Sequence, residues 1–405
     1  MSGYTQVFET KSFIKEIQTI RIENPDKKPY YPVIELGSEG KINLSFDDLS
    51  PEISSYSYTI IHCNADWTKS CLSESEYLEG LRTGFISDYK TSINTFFSYT
   101  HYELTFPNND IQFKVSGNYV VLVFKDNDTE HPVLSACFSV VSTQVGITAN
   151  VTSATDIDYN KGHQQLEFAV SYPNYNIQIP STDLKIVVRQ NLRTDNQVTD
   201  IVPTYFEQNN AIYKNNRKLI FDAGNEFRNF DISSTRILSN RVKSIDYYKP
   251  YYHVTLFPDE IRKKKWYTLE KDINGRYIIN VQFSDEDDTE GDYFFVHFTL
   301  PMETPILDGN FYLLGQFNEF RLDEKSKMVY NFKTAAYENT LLLKQGGYNY
   351  NYVFVPNGET AGQMEQIEGN YWETENEYII YVYHRPFGGR YDQLIGVSVN
   401  FSNQQ

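Results

Sequence analysis

The sequence is marked by short runs in which apolar and polar residues alternate, with polar turn residues between the runs. Clear examples cover residues 17–22, 41–46, 56–61 and 101–106. Because successive side chains of a β-strand point to opposite faces, alternation with a period of two predicts half-buried strands. The spacing of these runs is typical of a β-sandwich, so the pattern predicts an all-β protein.

The middle of the chain contains two predicted hairpins. Asn274-Gly275 is a strong hairpin signal, since both central residues of a type I′ turn need a positive φ. Residues 277–283 and 293–300 are predicted as a second pair of strands, joined by the acidic segment 285–292. We expect that segment to be a solvated, charged hairpin tip, with a calcium site built from its carboxylates as the alternative.

The runs fall into three groups, which predict three consecutive β-sandwich domains of the immunoglobulin-like or early-set type. An N-terminal tail at 1–16 precedes a first domain at 17–145, a second at 146–302 and a third at 303–405. A length of 405 residues fits this number at roughly 100 to 200 residues per domain. No Gly/Ser-rich or Pro-rich tract separates the groups, so the domains are expected to pack without long linkers.

Composition narrows the possible partners. The chain has 36 Lys and Arg against 53 Asp and Glu, a net charge of −17, and such a field repels nucleic acid. We therefore expect no nucleic-acid partner. Apolar stretches such as 119–124 and 378–383 reach six residues, whereas a membrane-spanning helix needs about 20. No direct membrane insertion is expected.

Motifs for catalysis or metal binding are missing from the sequence. The seven histidines are never spaced to place two imidazoles on one helical face. The segment 285–292 lacks the glycine and glutamate positions of an EF-hand. There is neither a Gly-x-Ser-x-Gly elbow nor a phosphate-binding loop. We predict that the protein is not an enzyme, with no catalytic residue, no cofactor and no metal.

The cysteines leave one question open. Cys63, Cys71 and Cys137 are an odd number, so at most one disulfide can form within the chain. Cys63 and Cys71 would be bridged if the chain turns back between them. Two free thiols are the alternative.

The segments 311–320 and 341–355 resemble a starch- or glycogen-binding sandwich module. In that module an aromatic ring stacks on the sugar, and the resemblance makes Phe320, Tyr350 and Tyr352 the glycan-binding candidates. Alternation places the rings of Tyr348, Tyr350 and Tyr352 on one face of a strand. The sequence departs from the module at Phe320, where a tryptophan is expected, and at Asn351, where a lysine is expected.

Longer segments, spread over nearly the whole chain, resemble the plug protein family of the type IX secretion system of Bacteroidota. They are HCNADW (62–67), EYLEG (76–80), YTHYEL (99–104), SGNY (116–119), AGNEFR (223–228), DINGRY (272–277), GNFYLLGQFNEF (309–320), EGNYWETENEY (368–378) and YHRPFGGRY (383–391). None of these strings encodes known chemistry. The resemblance rests on their number, order and spread.

The resemblance implies a non-enzymatic periplasmic protein of stacked β-sandwiches, associated with the inner face of the outer membrane. Such a protein docks on the giant outer-membrane translocon barrel and occludes its periplasmic opening. The family requires a secretory signal, and residues 1–5 lack the basic and apolar regions of one. We expect Met1 to be the start of a form of the protein from which the signal has been removed. A periplasmic or surface glycan-binding protein is the alternative function.

Tyrosine-rich and arginine-rich positions are the candidates for binding the translocon, because tyrosine offers a large contact area with few rotatable bonds. The alternative for each tyrosine is a half-buried position at the end of a strand. The alternative for the two arginines is that they stabilise a turn within the chain. The candidates are Tyr30, Tyr31, Tyr247, Tyr248, Tyr251, Tyr252, Arg385 and Arg390.

Overall fold

The computed structural model describes residues 6–26, 31–81, 83–126 and 128–402. Strands are the main regular structure of the described part and its helices are few and short, so the all-β prediction is confirmed. The strands are β1 (Lys11–Ser12), β2 (Ile17–Glu23), β3 (Val33–Glu35), β4 (Ile42–Asp48), β5 (Tyr56–Cys63), β6 (Leu78–Gly80), β7 (Thr83–Ile86), β8 (Asp88–Thr91), β9 (Thr100–Phe106), β10 (Ile111–Phe113), β11 (Gly117–Lys125), β12 (Pro132–Val141), β13 (Gly146–Thr152), β14 (His163–Ser171), β15 (Leu184–Gln190), β16 (Tyr205–Glu207), β17 (Asn210–Tyr213), β18 (Ile220–Asp222), β19 (Arg228–Asp231), β20 (Val242–Tyr248), β21 (Tyr251–Leu256), β22 (Tyr277–Ile279), β23 (Tyr293–Pro301), β24 (Gly309–Leu314), β25 (Val329–Asn331), β26 (Ala336–Lys344), β27 (Gly346–Pro356), β28 (Glu377–His384) and β29 (Gln393–Phe401).

Helices are short in the described part of the chain. The α-helices are α1 (Glu74–Tyr77), α2 (Pro180–Asp183) and α3 (Asp287–Glu290), and the 3-10 helices are Arg217–Leu219 and Gln316–Asn318. Among the described residues, none of these helices has the length and apolar character needed to cross a membrane.

An N-terminal unit is formed by two sheets packed face to face. One sheet has the order β1-β12-β11-β5-β7, with β3 added beside β12, and the other has the order β2-β4-β9-β8. Their facing side chains form one core in which aromatic rings dominate. Phe46 stacks on Tyr102 with ring centroids 5.2 Å apart, and Tyr56 meets both rings edge-on.

A second unit, here called the split unit, combines strands from two distant parts of the chain. The sheet β13-β14-β17-β16, with β18 beside β14, packs on the sheet β15-β28-β29. Strand β15 pairs with β28 from Leu184 opposite His384 to Gln190 opposite Tyr378.

The third unit, here called the inserted unit, lies between those two parts in sequence. The sheet β20-β21-β23-β26-β25 faces the strands β19, β22 and β24, all of which pair with β27. Tyr348, Tyr350 and Tyr352 of β27 all point into the core between these sheets. The alternation therefore predicted correctly that the three rings share a face, and that face is the core.

These pairings correct the expected order of consecutive domains. The boundary predicted between residues 302 and 303 separates β23 from its partner β26, and strands of the last predicted domain complete the middle one. The pattern missed this because alternation reports which face is buried and carries no information on distant partners. We propose a division into residues 6–142, residues 146–222 joined with 377–402, and an insert at 228–368.

Neither predicted hairpin forms. Asn274 and Gly275 make the predicted turn, with φ values of 52° and 78°, but no strand directly precedes it in the described part of the chain, and β22 after it pairs with β27. The second hairpin is wrong, because β22 pairs with β27 while β23 pairs with β21 and β26. The acidic segment between β22 and β23 contains α3 and packs against the N-terminal unit.

Candidate docking surface

A buried ionic cluster joins the N-terminal unit to the inserted unit. Lys344 Nζ donates to Asp47 Oδ2 at 2.6 Å, and both side chains are almost fully buried. Tyr293 Oη donates to the same oxygen at 2.6 Å, and His101 Nδ1 lies 2.6 Å from Asp47 Oδ1. These four side chains fix the relative position of the two units.

The charges in this cluster compensate one another. Burial alone would raise the pKa of Asp47, but Lys344 and His101 hold it below its ordinary value. Burial would lower the pKa of His101, yet its bonds to Asp47 and Glu103 raise it to about 9. His101 is therefore an imidazolium at neutral pH, and it donates from both ring nitrogens.

This protonated histidine makes stability depend on pH. His101 has a pKa of 6.5 when unperturbed and about 9 here, so its stabilisation is complete below 6.5 and lost as the pH rises through 9. Between pH 6.5 and 9.5, the free energy of unfolding should fall by about 2 to 3 kcal/mol more in the wild-type protein than in His101→Gln. Urea unfolding at several pH values measures this difference. Equal slopes for both proteins would contradict it, and His131→Gln, at an exposed histidine, should retain the wild-type slope.

The acidic segment 285–292 is part of the same contact, which corrects the prediction of a solvated tip. Arg21 pairs with Asp288 at 2.5 Å, and Asp292 Oδ1 accepts the backbone N–H of Phe96 at 2.7 Å. Ile93 N donates to Thr289 O at 2.9 Å. Of the carboxylates that suggested calcium, those of Asp288, Glu290 and Asp292 thus bond to the N-terminal unit.

One group of side chains has the spacing of a metal site. His101, Glu103 and Asp288 each place a ligand atom within 4.8 Å of the others. A metal requires a neutral imidazole nitrogen, whereas His101 uses one ring nitrogen on Asp47 and the other on Glu103. Hydrogen bonds therefore account for the geometry of this group.

Both candidate arginines serve contacts between the N-terminal and split units. Arg385 Nε donates to Asp392 Oδ1 at 2.8 Å, and its Nη2 donates to Asn64 Oδ1 at 2.8 Å. Arg390 pairs with Glu76 at 2.6 Å. These side chains belong to a structural turn, the alternative given for them, and the turn presents Phe387 to solvent with 94% of its surface exposed.

Tyr31 also lies inside the assembly, at the point where all three units meet. Its Oη donates to Glu377 at 2.7 Å, and Arg276 binds both oxygens of that carboxylate at 2.6 and 3.0 Å. The Arg276 guanidinium lies 5.1 Å from the centre of the Tyr31 ring. Tyr30 lies outside the described residues.

The remaining tyrosine candidates lie at the tip of the β20–β21 hairpin, with Tyr247 and Tyr252 on one face and Tyr248 and Tyr251 on the other, and Phe96 of the N-terminal unit packs on the first of these faces. We call Phe96, Tyr247, Tyr248, Tyr251 and Tyr252 the aromatic surface. Phe96 is 57% exposed, Tyr247 44% and Tyr248 65%, while Tyr251 and Tyr252 are half-buried.

Strand pairing explains how this patch is held. Strand β20 is the edge of its sheet, and its register with β21 puts Tyr247 opposite Tyr252 and Tyr248 opposite Tyr251. Phe96 reaches over from the N-terminal unit, with its ring centre 5.1 Å from that of Tyr247 and 5.2 Å from that of Tyr252. Aromatic pairs at such distances stabilise one another. The sequence could not reveal Phe96, because its placement depends on the contact between units.

The glycan candidates are buried, and this corrects the expectation of exposed stacking rings. Tyr350 and Tyr352 are fully buried and both donate to Asp259 Oδ2, at 2.6 and 2.8 Å. Phe320 packs with Phe227 and Met364 in a separate small core. None of the three rings is placed to stack on a sugar.

All three cysteines are free thiols. Cys63 is buried and Cys71 is exposed, so the alternative of two unbridged thiols holds for this pair. Burial raises the pKa of Cys63 well above its ordinary value, and the same holds for Cys137. Neither thiol has the lowered pKa of a reactive cysteine.

Comparisons with known proteins bear on this architecture. The family model described as "Type 9 secretion system plug protein 1st domain" matches residues 17–142, which is the N-terminal unit. The crystal structure of a hypothetical protein from Parabacteroides merdae ATCC 43184 is 45% identical, with a TM-score of 0.96, and the alignment covers 98% of this chain and 100% of that one. No curated protein matched the sequence.

A weaker structural match carries no argument. The alkylpurine DNA glycosylase AlkC of Pseudomonas fluorescens, bound to DNA with an abasic site analogue, is 18% identical and covers 31% of this chain and 30% of its own. Its TM-score of 0.19 is too low to indicate a shared fold.

Proposed function

Because the chain belongs to the family of type 9 secretion system plug proteins, we propose that it docks on the periplasmic opening of the type IX outer-membrane translocon and occludes the pore between transport events. The observation that carries this proposal is the family match over the N-terminal unit. In this proposal the protein is periplasmic, lies at the inner face of the outer membrane and catalyses no reaction. The family description names secretion and no chemical activity.

The packing of the units supports a role as a stopper. A plug must cover a water-filled pore without deforming, which requires a broad body whose parts do not swing. Here the N-terminal unit is tied to the split unit through Asn64 and the Ala65 N–H, which bond to Arg385 and Asp392, and to the inserted unit through the buried pair of Asp47 and Lys344. Buried charge pairs of this kind are costly to separate.

The aromatic surface is the part of the molecule that we propose contacts the translocon. Interface centres are enriched in tyrosine and other aromatic residues, and these residues often dominate the binding energy. This surface spans two units, so it is complete only when the two are docked. Glycan binding is not proposed, since Phe320, Tyr350 and Tyr352 are buried.

Deleting the gene in the native host tests the proposal. We expect the deletion strain to become sensitive to a large antibiotic such as vancomycin, because an unsealed translocon would admit it. Re-expressing the wild-type protein should restore resistance. A second deletion that also removes the translocon should abolish the leak, which separates plugging from a general envelope defect. Unchanged permeability in the first strain would contradict the proposal.

A further inference from the structure

A large cavity lies at the junction of the three units. It has a volume of about 930 Å³ and receives residues from each unit: Phe8 and Trp67 from the N-terminal unit, Leu192 from the split unit, and Ile278 and Phe320 from the inserted unit. Most of its lining is apolar. Cavities of this size and character at domain junctions commonly bind small molecules.

Several charged groups on the cavity wall are already neutralised. Arg276 is paired with Glu377, Arg21 with Asp288, and Arg321 with Asp323. Two further carboxylates also have partners: Glu9 pairs with Lys11, and Asp66 accepts from Thr68. The ion-paired groups add little net charge to the cavity, whereas Asp66 keeps its negative charge because its partner is a hydroxyl.

The charges that remain are predominantly negative. Among the described residues, the carboxylates of Glu23 and Glu319 make no hydrogen bond or ion pair within the chain. The only guanidinium on this wall without a carboxylate partner is that of Arg189, which donates to Gln197 and lies over the ring of Tyr381. Two carboxyl groups without a partner therefore face one cation in a largely apolar space.

Glu319 is held at this wall by an unusual backbone. Glu319 and Phe320 have φ values of 56° and 52°, a left-handed conformation that costs energy for residues other than glycine. Phe320 is buried beside it, so the segment is firmly placed. Burial raises the pKa of Glu319 to about 8, while Arg321 acts in the opposite direction. The carboxyl group is thus positioned without a counter-ion.

We propose that this cavity binds a small molecule with an apolar body and one cationic head, such as a primary amine, and that Glu319 receives the head. The apolar wall matches the body, and the ammonium head is the counter-ion that the Glu319 carboxyl lacks, so this carboxyl would release its proton to solvent as the head binds. Because every unit contributes to the wall, the ligand would stabilise the assembled arrangement of units. This binding is independent of docking on the translocon, so its failure leaves the proposed function untouched.

Three probes with the same body and different heads test the proposal: 1-adamantylamine, 1-adamantanol and adamantane-1-carboxylate. Calorimetric titration at pH 7.5 into the full chain should show the amine binding at least tenfold more tightly than the alcohol, and the carboxylate binding weakest. The amine should also raise the melting temperature. Equal affinities for the three probes, or no binding of the amine, would overturn the proposal.

Two variants locate the head group. Glu319→Gln should weaken binding of the amine at least tenfold and leave binding of the alcohol unchanged. An amide closely resembles a protonated carboxyl, so this variant should fold normally. Glu359→Gln, at an exposed turn, is the matched control and should behave as wild type. An unchanged preference for the amine in Glu319→Gln would overturn the assignment.

Discussion

Replacing Lys344 with methionine is expected to lower the free energy of unfolding by about 3 to 5 kcal/mol, because removing one partner of a buried ion pair leaves the other charge uncompensated. Lys344 Nζ donates to both Asp47 Oδ2 and Asp288 O at 2.6 Å, and it lies 4.4 Å from the ring centre of Tyr99. Methionine fills similar space but satisfies neither oxygen. Urea unfolding at pH 7 measures the loss.

An exposed pair serves as the control. Lys263 lies 3.7 Å from Glu365 at the surface, and Lys263→Met should cost less than about 1 kcal/mol. For the double variant Asp47→Leu with Lys344→Met, the loss in free energy of unfolding should be smaller than the sum of the losses in the two single variants. The reason is that neither member of the pair is left behind without the other. A loss for Lys344→Met no larger than that for Lys263→Met would contradict the view that this cluster locks the units.

Replacing Tyr247 and Tyr248 together with alanine is expected to weaken association with the detergent-extracted translocon at least 100-fold. Each ring is exposed, and truncating a hot-spot aromatic typically costs about 2 kcal/mol or more, roughly 30-fold in affinity. Thermal stability should change by only a few degrees, because neither side chain belongs to a core. Binding measured by surface plasmon resonance, beside thermal melts of both proteins, checks the two statements.

The matched control is a second pair of adjacent aromatic residues on an edge strand. Tyr205 and Phe206 of β16 in the split unit are similarly exposed. Replacing both with alanine should leave association unchanged. If the two double variants weaken binding equally, or if neither does, the aromatic surface is not the docking site.

Local features of the fold could be predicted from the sequence, and long-range ones could not. Alternation identified strands such as β2, β4 and β9, because a period of two directly reports a pleated strand. The pairing of β15 with β28 joins segments almost two hundred residues apart. Nothing in either segment specifies the other, so the sequence pattern favours consecutive domains and does not predict this pairing.

The contacts between units show the same limit. The acidic segment 285–292 has the composition of a solvated tip, and only the presence of Arg21 and the Phe96 N–H explains why it packs inward. Arg385 was a candidate contact for a partner, yet its bonds lie within the chain. The pairing of Asp47 with Lys344 could not be predicted, since the two lie almost three hundred residues apart and only folding brings them together.

The candidate rings divide by their surroundings. Tyr350 and Tyr352 alternate on β27 as predicted, but the opposing sheet covers that face. Tyr247 and Tyr248 lie on the edge strand β20, where no further strand covers them. Sequence alone cannot distinguish a covered face from an open one when both carry tyrosine.

The most direct test of the central proposal is to tag the protein in its native host, extract the envelope in mild detergent and identify what co-purifies. We predict recovery of one very large outer-membrane protein, the translocon, with the wild-type chain and its loss with Tyr247→Ala/Tyr248→Ala. Recovery of no outer-membrane protein with the wild-type chain would contradict the account.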